Sequence, residues 1–272
     1  MKTKNYRILV LSDLGDSAMN ILENTTRLAK MIGGEVAFFH AEQPSKVVKQ
    51  DNQLSAVRSI NAAYVETKKR IEKLVAPVSK AFGKKIDTIF VVGNIREEIS
   101  KQIETFQPDI IVMGQRKQSP LKLIGDSITQ QVLTNFVGIV MIASHDQVLG
   151  ESQELSLGMF NGTGECLKTA LAVELLEQTS QPLKSFKIAT KKTSSEQALL
   201  NTDKKIVEYH FSNGDSVLNT ISKYLSKTKV DVLFVNQQET TQTNMGIKDV
   251  IGKFNVPLLL TGKYSHQLNN QR

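Results

Sequence analysis

Short apolar runs alternate with longer amphipathic segments along the first half of the chain. Residues 7–11 predict a buried strand, and the apolar positions of residues 18–32 recur at the spacing of one helix face, with Gly33-Gly34 as the stop. The alternation continues with strands at 35–40, 86–92, 109–113 and 138–143 and with helices at 54–82, 95–106 and 127–135. This order predicts an α/β domain with helices on both faces of a parallel sheet.

The second half of the chain repeats this pattern. The segment Asp109-Ile110-Ile111-Val112-Met113 recurs as Asp231-Val232-Leu233-Phe234-Val235, and Asn161 is expected to stand where the first half has Asp13. We therefore predict two tandem doubly wound sheets, each with five parallel strands. The second domain is smaller and degenerate because it lacks most of the long second helix. The polar stretch 144–154 sets the predicted domains at 1–148 and 149–272.

Charge and composition mainly exclude classes of partner and location. The chain has 34 basic and 27 acidic residues, a net charge of +7, but its basic residues form dispersed groups such as Lys68-Lys69-Arg70, so no nucleic-acid partner is expected. The one cysteine, Cys166, excludes an intramolecular disulfide. Apolar runs fall far short of the roughly 20 residues that cross a bilayer. The first of them stops at Asp13, too early for a secretory signal, which predicts a cytoplasmic protein without a membrane segment.

Signatures of enzymes are present only in incomplete form. Gly162-Thr163-Gly164 follows a strand, but Leu167 replaces the third glycine of a dinucleotide fingerprint. Gly125-Asp126-Ser127 misses a nucleophile elbow by its last residue, and the four histidines lack metal-ligand spacing. We predict no catalytic residue and no metal held by protein ligands, and the sequence favours a protein that is not an enzyme.

Several strand ends resemble those of a tandem member of the universal stress protein family. They are Ile8 to Leu11 followed by Ser12-Asp13, Gly93 before the third helix, and Asp109 to Gly114 at the fourth strand. The resemblance covers nearly the whole chain and is weaker in the second half. It implies a stress-response protein whose first domain binds an adenine nucleotide, ATP or AMP, with Mg²⁺ accompanying ATP.

The resemblance also implies a phosphate-binding loop after the fourth strand. Nucleotide-binding members have Gly-x2-Gly-x9-Gly-Ser/Thr there, because glycines let main-chain amides approach phosphate oxygens before a helix N-terminus. Gly114 matches the first glycine, whereas Lys117 occupies the second glycine position. Two interpretations of the loop end stay open. In one, Ser127 is the family hydroxyl and Asp126 replaces the last glycine; in the other, Gly125 is that glycine and Lys117 contacts phosphate as a point charge.

For the adenosine end, the resemblance implies Asp13 at the carboxyl end of the first strand, where open α/β sheets bind ligands. His40-Ala41 would border the adenine, and in the alternative interpretation His40 is simply a half-exposed histidine near a strand end. Each of these residues also has a structural interpretation: Asp13 as a turn residue, Gly114 as a tight strand exit, and Ser127 as a helix N-cap.

The second half has no glycine after its fourth strand, where Val235 is followed by Asn236-Gln237, so we expect no nucleotide there. In the family, domains pair through their last strands, which here are residues 138–143 and 256–261. The resemblance therefore implies an intramolecular pseudo-dimer of the two domains, and it also allows a homodimer of the whole chain. The leading hypothesis is a non-catalytic stress-response regulator. The alternatives are a nucleotide-free scaffold or protein-interaction module of the same fold and, third, a slow ATPase using Asp13 and Asp126.

Overall fold

The structure is a computed structural model that describes residues 5–43, 53–115, 123–150, 154–162, 164–189, 204–238 and 246–261. Strands and helices alternate along most of the chain, which confirms the predicted α/β class. The elements are β1 (Arg7–Leu11), α1 (Ala18–Ile32), β2 (Glu35–Glu42), α2 (Gln53–Phe82), β3 (Asp87–Val92), α3 (Ile95–Phe106), β4 (Ile110–Gly114), α4 (Leu123–Asn135), β5 (Ile139–Ala143), β6 (Leu157–Phe160), a 3₁₀ helix (Glu165–Lys168), α5 (Ala170–Gln178), β7 (Leu183–Ala189), β8 (Ile206–Ser212), α6 (Val217–Lys227), β9 (Val232–Asn236), α7 (Ile247–Lys253) and β10 (Leu258–Thr261).

The chain divides into two compact units, and the division falls inside β4. The N-terminal unit is Lys4–Val112, and the C-terminal unit holds Met113–Arg272. In the N-terminal unit the strands follow the order β3-β2-β1-β4, with β1 and β3 both parallel to β2. The last four residues of β1 are buried, as expected for a strand covered on both faces.

The C-terminal unit has strands in the order β5-β10-β9-β6-β7-β8. The pairs β10–β9, β9–β6, β6–β7 and β7–β8 are parallel, whereas β5 and β10 are antiparallel. Leu258 pairs with Ile142 and Leu260 with Val140. The predicted pairing between the last strands of the two repeats is therefore confirmed.

The repeated aspartates hold equivalent positions in the two units. Asp109 accepts a hydrogen bond from the N–H of Arg7 at 3.0 Å and donates its own N–H to the Arg7 carbonyl at 2.8 Å. Asp231 makes the same two contacts with Ser156, each at 2.8 Å. In each repeat the aspartate before the fourth strand therefore clamps the start of the first strand, which gives the repeated sequence a structural reason.

One alignment within the repeat differs from expectation by one residue. The N–H of Ser12 donates to the Phe39 carbonyl at 3.0 Å, and the N–H of Asn161 donates to the Phe186 carbonyl at 2.8 Å. Asn161 is therefore the counterpart of Ser12, and the expectation that it replaces Asp13 is wrong. The error matters because a shift of one residue moves a side chain to the other face of a sheet.

The longest helix, α2, runs for 30 residues and contains Pro77. Across the described ranges, no helix combines the length and apolar character that a membrane span requires.

Candidate functional site

The turn after β1 presents Asp13 to solvent at the carboxyl end of the strand. The hydroxyl of Ser12 accepts the N–H of Leu14 at 3.1 Å, and Asp13 Oδ1 accepts the N–H of Gly15 at 3.0 Å. Leu14 has a φ of 55°, which is uncommon for a residue with a branched side chain, and that side chain is buried. A Cβ at Gly15 would lie 3.0 Å from Asp13 Oδ1, so glycine leaves room for the carboxylate.

His40 in β2 contacts the backbone of this turn through its imidazole ring. Its Nδ1 lies 2.8 Å from the Ser12 carbonyl, which can only accept, so this nitrogen carries the proton. The expectation of a half-exposed histidine is wrong: the side chain is 7% exposed, and the Phe90 ring stacks on it. Burial lowers the pKa of His40 below 6.5, although the hydrogen bond to Ser12 and the carboxylates of Glu42 and Asp13 favour the charged form.

Helix α2 supplies polar contacts to the same end of the N-terminal unit. Arg70 Nη2 donates to the Leu14 carbonyl at 2.5 Å, and the Thr67 hydroxyl donates to Glu42 Oε2 at 3.2 Å. These two α2 residues are three apart and therefore neighbours on the helix surface. Neither contact could be predicted from the sequence, because the pattern of α2 by itself does not reveal which strand ends its polar positions meet.

Ala41 follows His40 in β2, pairs with Val91 of β3 and is partly exposed. The rings of His40 and Phe90 stack with centroids 5.6 Å apart, and Phe90 and Tyr64 stack at 4.9 Å. Asp13 thus follows the end of β1, and Ala41 lies near the end of the neighbouring strand β2, beside a series of stacked aromatic rings.

The residues predicted for phosphate binding lie at β4 and α4. Gly114 is the last residue of β4, and Lys117 falls outside the described residues. The prediction that the helix starts at Ser127 is wrong, because α4 begins at Leu123. Ser127 is the fifth helical residue and is not an N-cap. Gly125 is the third, where the amide has no acceptor within the helix.

The earlier start of α4 has a simple physical reason. Leucine and isoleucine before Gly125 favour or tolerate a helix, and one glycine costs only about 1 kcal/mol relative to alanine, so it does not end the helix. The sequence pattern predicts a loop at this glycine, and the structure has it inside the helix.

Gln115, directly after Gly114, is a contact residue that sequence patterns did not indicate. Its N–H donates to the Ala143 carbonyl at 2.8 Å. Its side-chain Nε2 donates to the carbonyls of Ile251 at 2.6 Å and Phe254 at 2.9 Å, at the end of α7. Gln115, the first residue after β4, is therefore hydrogen-bonded to the second repeat.

In the second repeat, the side chain of the residue that follows β6 bonds to the neighbouring strand β7. Asn161 has a φ of 48°, and its Oδ1 accepts the N–H of Ile188 at 3.1 Å. The following 3₁₀ helix packs against β9, with Cys166 and Leu167 buried.

Among the described residues, no three His, Cys, Asp or Glu side chains gather as metal ligands would.

A largely parallel sheet with a polar turn at the carboxyl end of its first strand defines an α/β protein of the type that binds ligands at strand ends. Residues 4–143 match the model of the universal stress protein family. The chain belongs to that family.

Solved structures extend the likeness in fold beyond these residues. A universal stress protein from Archaeoglobus fulgidus DSM 4304 has 17% identity and a TM-score of 0.69, with 94% of this chain and 96% of that chain covered. A putative universal stress protein from Pseudomonas aeruginosa UCBPP-PA14 has 12% identity and a TM-score of 0.54, with 99% of both chains covered. At such identities the similarity shows the fold alone.

A universal stress protein in complex with cAMP has 14% identity and a TM-score of 0.37, covering 52% of this chain and 98% of that one. No curated protein matches the chain.

Proposed function

We propose that the chain is a non-catalytic regulator of the stress response whose first repeat binds an adenine nucleotide, ATP or AMP. The observation that carries the proposal is the turn after β1, which holds Asp13 exposed at the strand end. A carboxylate accepts several hydrogen bonds, and ribose hydroxyls are suitable donors to it. Contacts from His40 to Ser12 and from Arg70 to Leu14 fix the backbone of this turn before a ligand arrives.

For the phosphates we propose the segment from Gly114 to Ser127. The start of α4 at Leu123 supports the interpretation in which Gly125 takes the place of the last glycine, because its amide lies in the first helical turn. The positive end of the helix dipole favours an anion at that turn. Lys117 then adds a point charge, and the Ser127 hydroxyl remains a predicted contact.

Magnesium enters the proposal only with ATP. Mg²⁺ is usually held by phosphate oxygens and water with one or two carboxylates, so it needs no cage of protein ligands. We assign no catalytic step to the site.

Calorimetric titration of the whole chain with ATP and with AMP, in the presence of Mg²⁺, tests the proposal. We expect binding to the native chain, at least tenfold weaker binding to Asp13→Ala, and unchanged binding to Asp16→Ala, which removes the same charge from a neighbouring exposed position. At 100 times Kd, bound nucleotide should add about 2.7 kcal/mol to the free energy of unfolding. Absence of heat and of thermal stabilisation at millimolar nucleotide would contradict the proposal.

A nucleotide-free scaffold is the second candidate, and the position of Asp126 favours it. Asp126 is the fourth residue of α4, where a carboxylate complements the helix dipole and competes with a phosphate. Native mass spectrometry of the freshly purified chain separates the two candidates. A copurified adenine nucleotide supports the nucleotide-binding regulator. A ligand-free chain that also does not bind added ATP supports the scaffold.

A further inference from the structure

Gln115 joins the exit of β4 to the end of a helix in the second repeat. Its Nε2 donates to Ile251 O at 2.6 Å and to Phe254 O at 2.9 Å. Ile251 lies in the last turn of α7, and Phe254 is the residue that caps this helix. Carbonyls at a helix C-terminus have no partner within the helix, so one side-chain amide satisfies two of them. Both N–H groups of the amide are directed at these carbonyls, which fixes the orientation of the side chain.

The segment that carries the acceptor carbonyls is itself packed into the C-terminal unit. Phe254 is fully buried, donates its N–H to the Val250 carbonyl at 3.1 Å, and packs edge-on against Phe160 with centroids 5.1 Å apart. The next residue, Asn255, accepts a hydrogen bond from the Ser144 hydroxyl at 2.9 Å. A side chain attached here is therefore attached to the core of the C-terminal unit.

The division of the chain into units agrees with this attachment. The boundary inside β4 assigns Met113 and everything after it to the same compact unit as the second repeat. Gly114 and Gln115, where the family resemblance places the start of the phosphate loop, thus belong to the same unit as α7. The main-chain N–H of Gln115 adds a bond to Ala143 O at 2.8 Å in the same unit.

We infer that Gln115 is a positioning residue, through which the C-terminal carbonyls of α7 in the second repeat hold the first residue of the phosphate loop. The inference rests on the proposed nucleotide binding and adds a role for the degenerate repeat: it supports the phosphate end of the first repeat's site. Preorganised backbone amides bind an anion more tightly because less ordering is needed on binding. Phosphate affinity should therefore depend on a side-chain contact to a helix that itself binds no nucleotide.

The test compares Gln115→Leu with Gln237→Leu in the whole chain. Gln237 follows the last residue of β9 as Gln115 follows the last residue of β4, so it gives the same substitution at the equivalent position of the other repeat. ATP and AMP affinities are measured by calorimetric titration, and the thermal midpoint of each variant is measured without ligand. Should Gln115→Leu not fold, Gln115→Asn shortens the side chain by one methylene and tests the same contact.

We expect Gln115→Leu to weaken ATP binding about tenfold, the factor that corresponds to the net loss of about one good hydrogen bond. The loss for AMP should be clearly smaller, because AMP lacks the outer phosphates, and Gln237→Leu should leave both affinities unchanged. Equal ATP affinity in the native chain and Gln115→Leu would overturn this role alone. An equal loss of affinity for ATP and for AMP would also overturn it, because it would indicate a general structural effect of the substitution. A native chain that binds neither nucleotide would overturn the proposed function as well.

Discussion

The carboxyl ends of β1 and β6 share a backbone and differ in what their side chains do. In both, the residue after the strand donates its N–H to a phenylalanine carbonyl of the neighbouring strand, Ser12 to Phe39 and Asn161 to Phe186. The Ser12 hydroxyl then stabilises its own turn, whereas the Asn161 side chain crosses to the N–H of Ile188. The Ser12 side chain therefore bonds within its own turn, whereas the Asn161 side chain bonds to the end of the neighbouring strand β7.

The next residues enlarge this difference. After Ser12 come Asp13 and Gly15, both exposed, whereas the 3₁₀ helix after Asn161 directs Cys166 and Leu167 into the core. The same fold can therefore keep a polar strand end or bury it, and the change takes only a few residues of one turn. We expect the energetics of the two turns to differ accordingly.

The largest effect is expected for Leu167→Ala. Truncating a buried leucine removes apolar contacts and leaves a cavity, which costs about 2–5 kcal/mol. Urea denaturation followed by far-ultraviolet circular dichroism measures the change, since the chain has no tryptophan. Asp13→Ala, in the corresponding turn of the first repeat, should change the free energy of unfolding by less than about 0.5 kcal/mol. Equal losses in the two variants would show that the turns do not differ as described.

Asn161→Ala should have an intermediate effect. It removes the acceptor for the Ile188 N–H, worth about 1 kcal/mol, and it places alanine at a φ of 48°, which costs about 1 kcal/mol more. Asn161→Gly is the matched control, because glycine loses the hydrogen bond but adopts this φ without strain. We expect the thermal midpoint to fall further for alanine than for glycine. The reverse order would rule out backbone strain at this position.

The smallest effect concerns pH and is confined to the first repeat. Burial lowers the pKa of His40, so the folded chain binds fewer protons at this residue than the unfolded chain does. The contribution of neutral His40 is therefore complete above about pH 6.5 and decreases as the pH falls below it. Thermal midpoints between pH 8 and 5 should fall less steeply for His40→Gln than for the native chain. Curves that fall equally steeply for the native chain and for His40→Gln would contradict this contribution of His40.

Helix α3 shows where sequence patterns suffice. Its predicted and observed bounds agree, Ile95–Phe106, because its end signals are local. The Asn94 side chain accepts the N–H of Arg96 at the start, and Pro108 disfavours helical backbone at Gln107, which has a φ of 50°. Helix α4 shows where they fail, since a glycine that looked like part of a loop lies inside the helix.

The candidate site divides in the same way. Asp13 could be placed at a strand end because the apolar run of β1 stops there, and its exposure agrees with that interpretation. The burial of His40 and the contact of Arg70 could not be predicted, because each depends on a partner from a distant element. The one-residue shift of Asn161 has the same origin, since register is defined only between paired strands.

By itself, the sequence determined the class of fold, the order of the elements, the internal repeat and the family, because hydrophobic periodicity and the residues at strand ends act over a few positions. Only the tertiary structure decided that Gln115 reaches α7, that His40 is buried under the Asp13 turn, and that the Asn161 side chain bonds to β7. Those outcomes depend on hydrogen bonds and packing between residues far apart in the chain, where local pattern carries no information about distance.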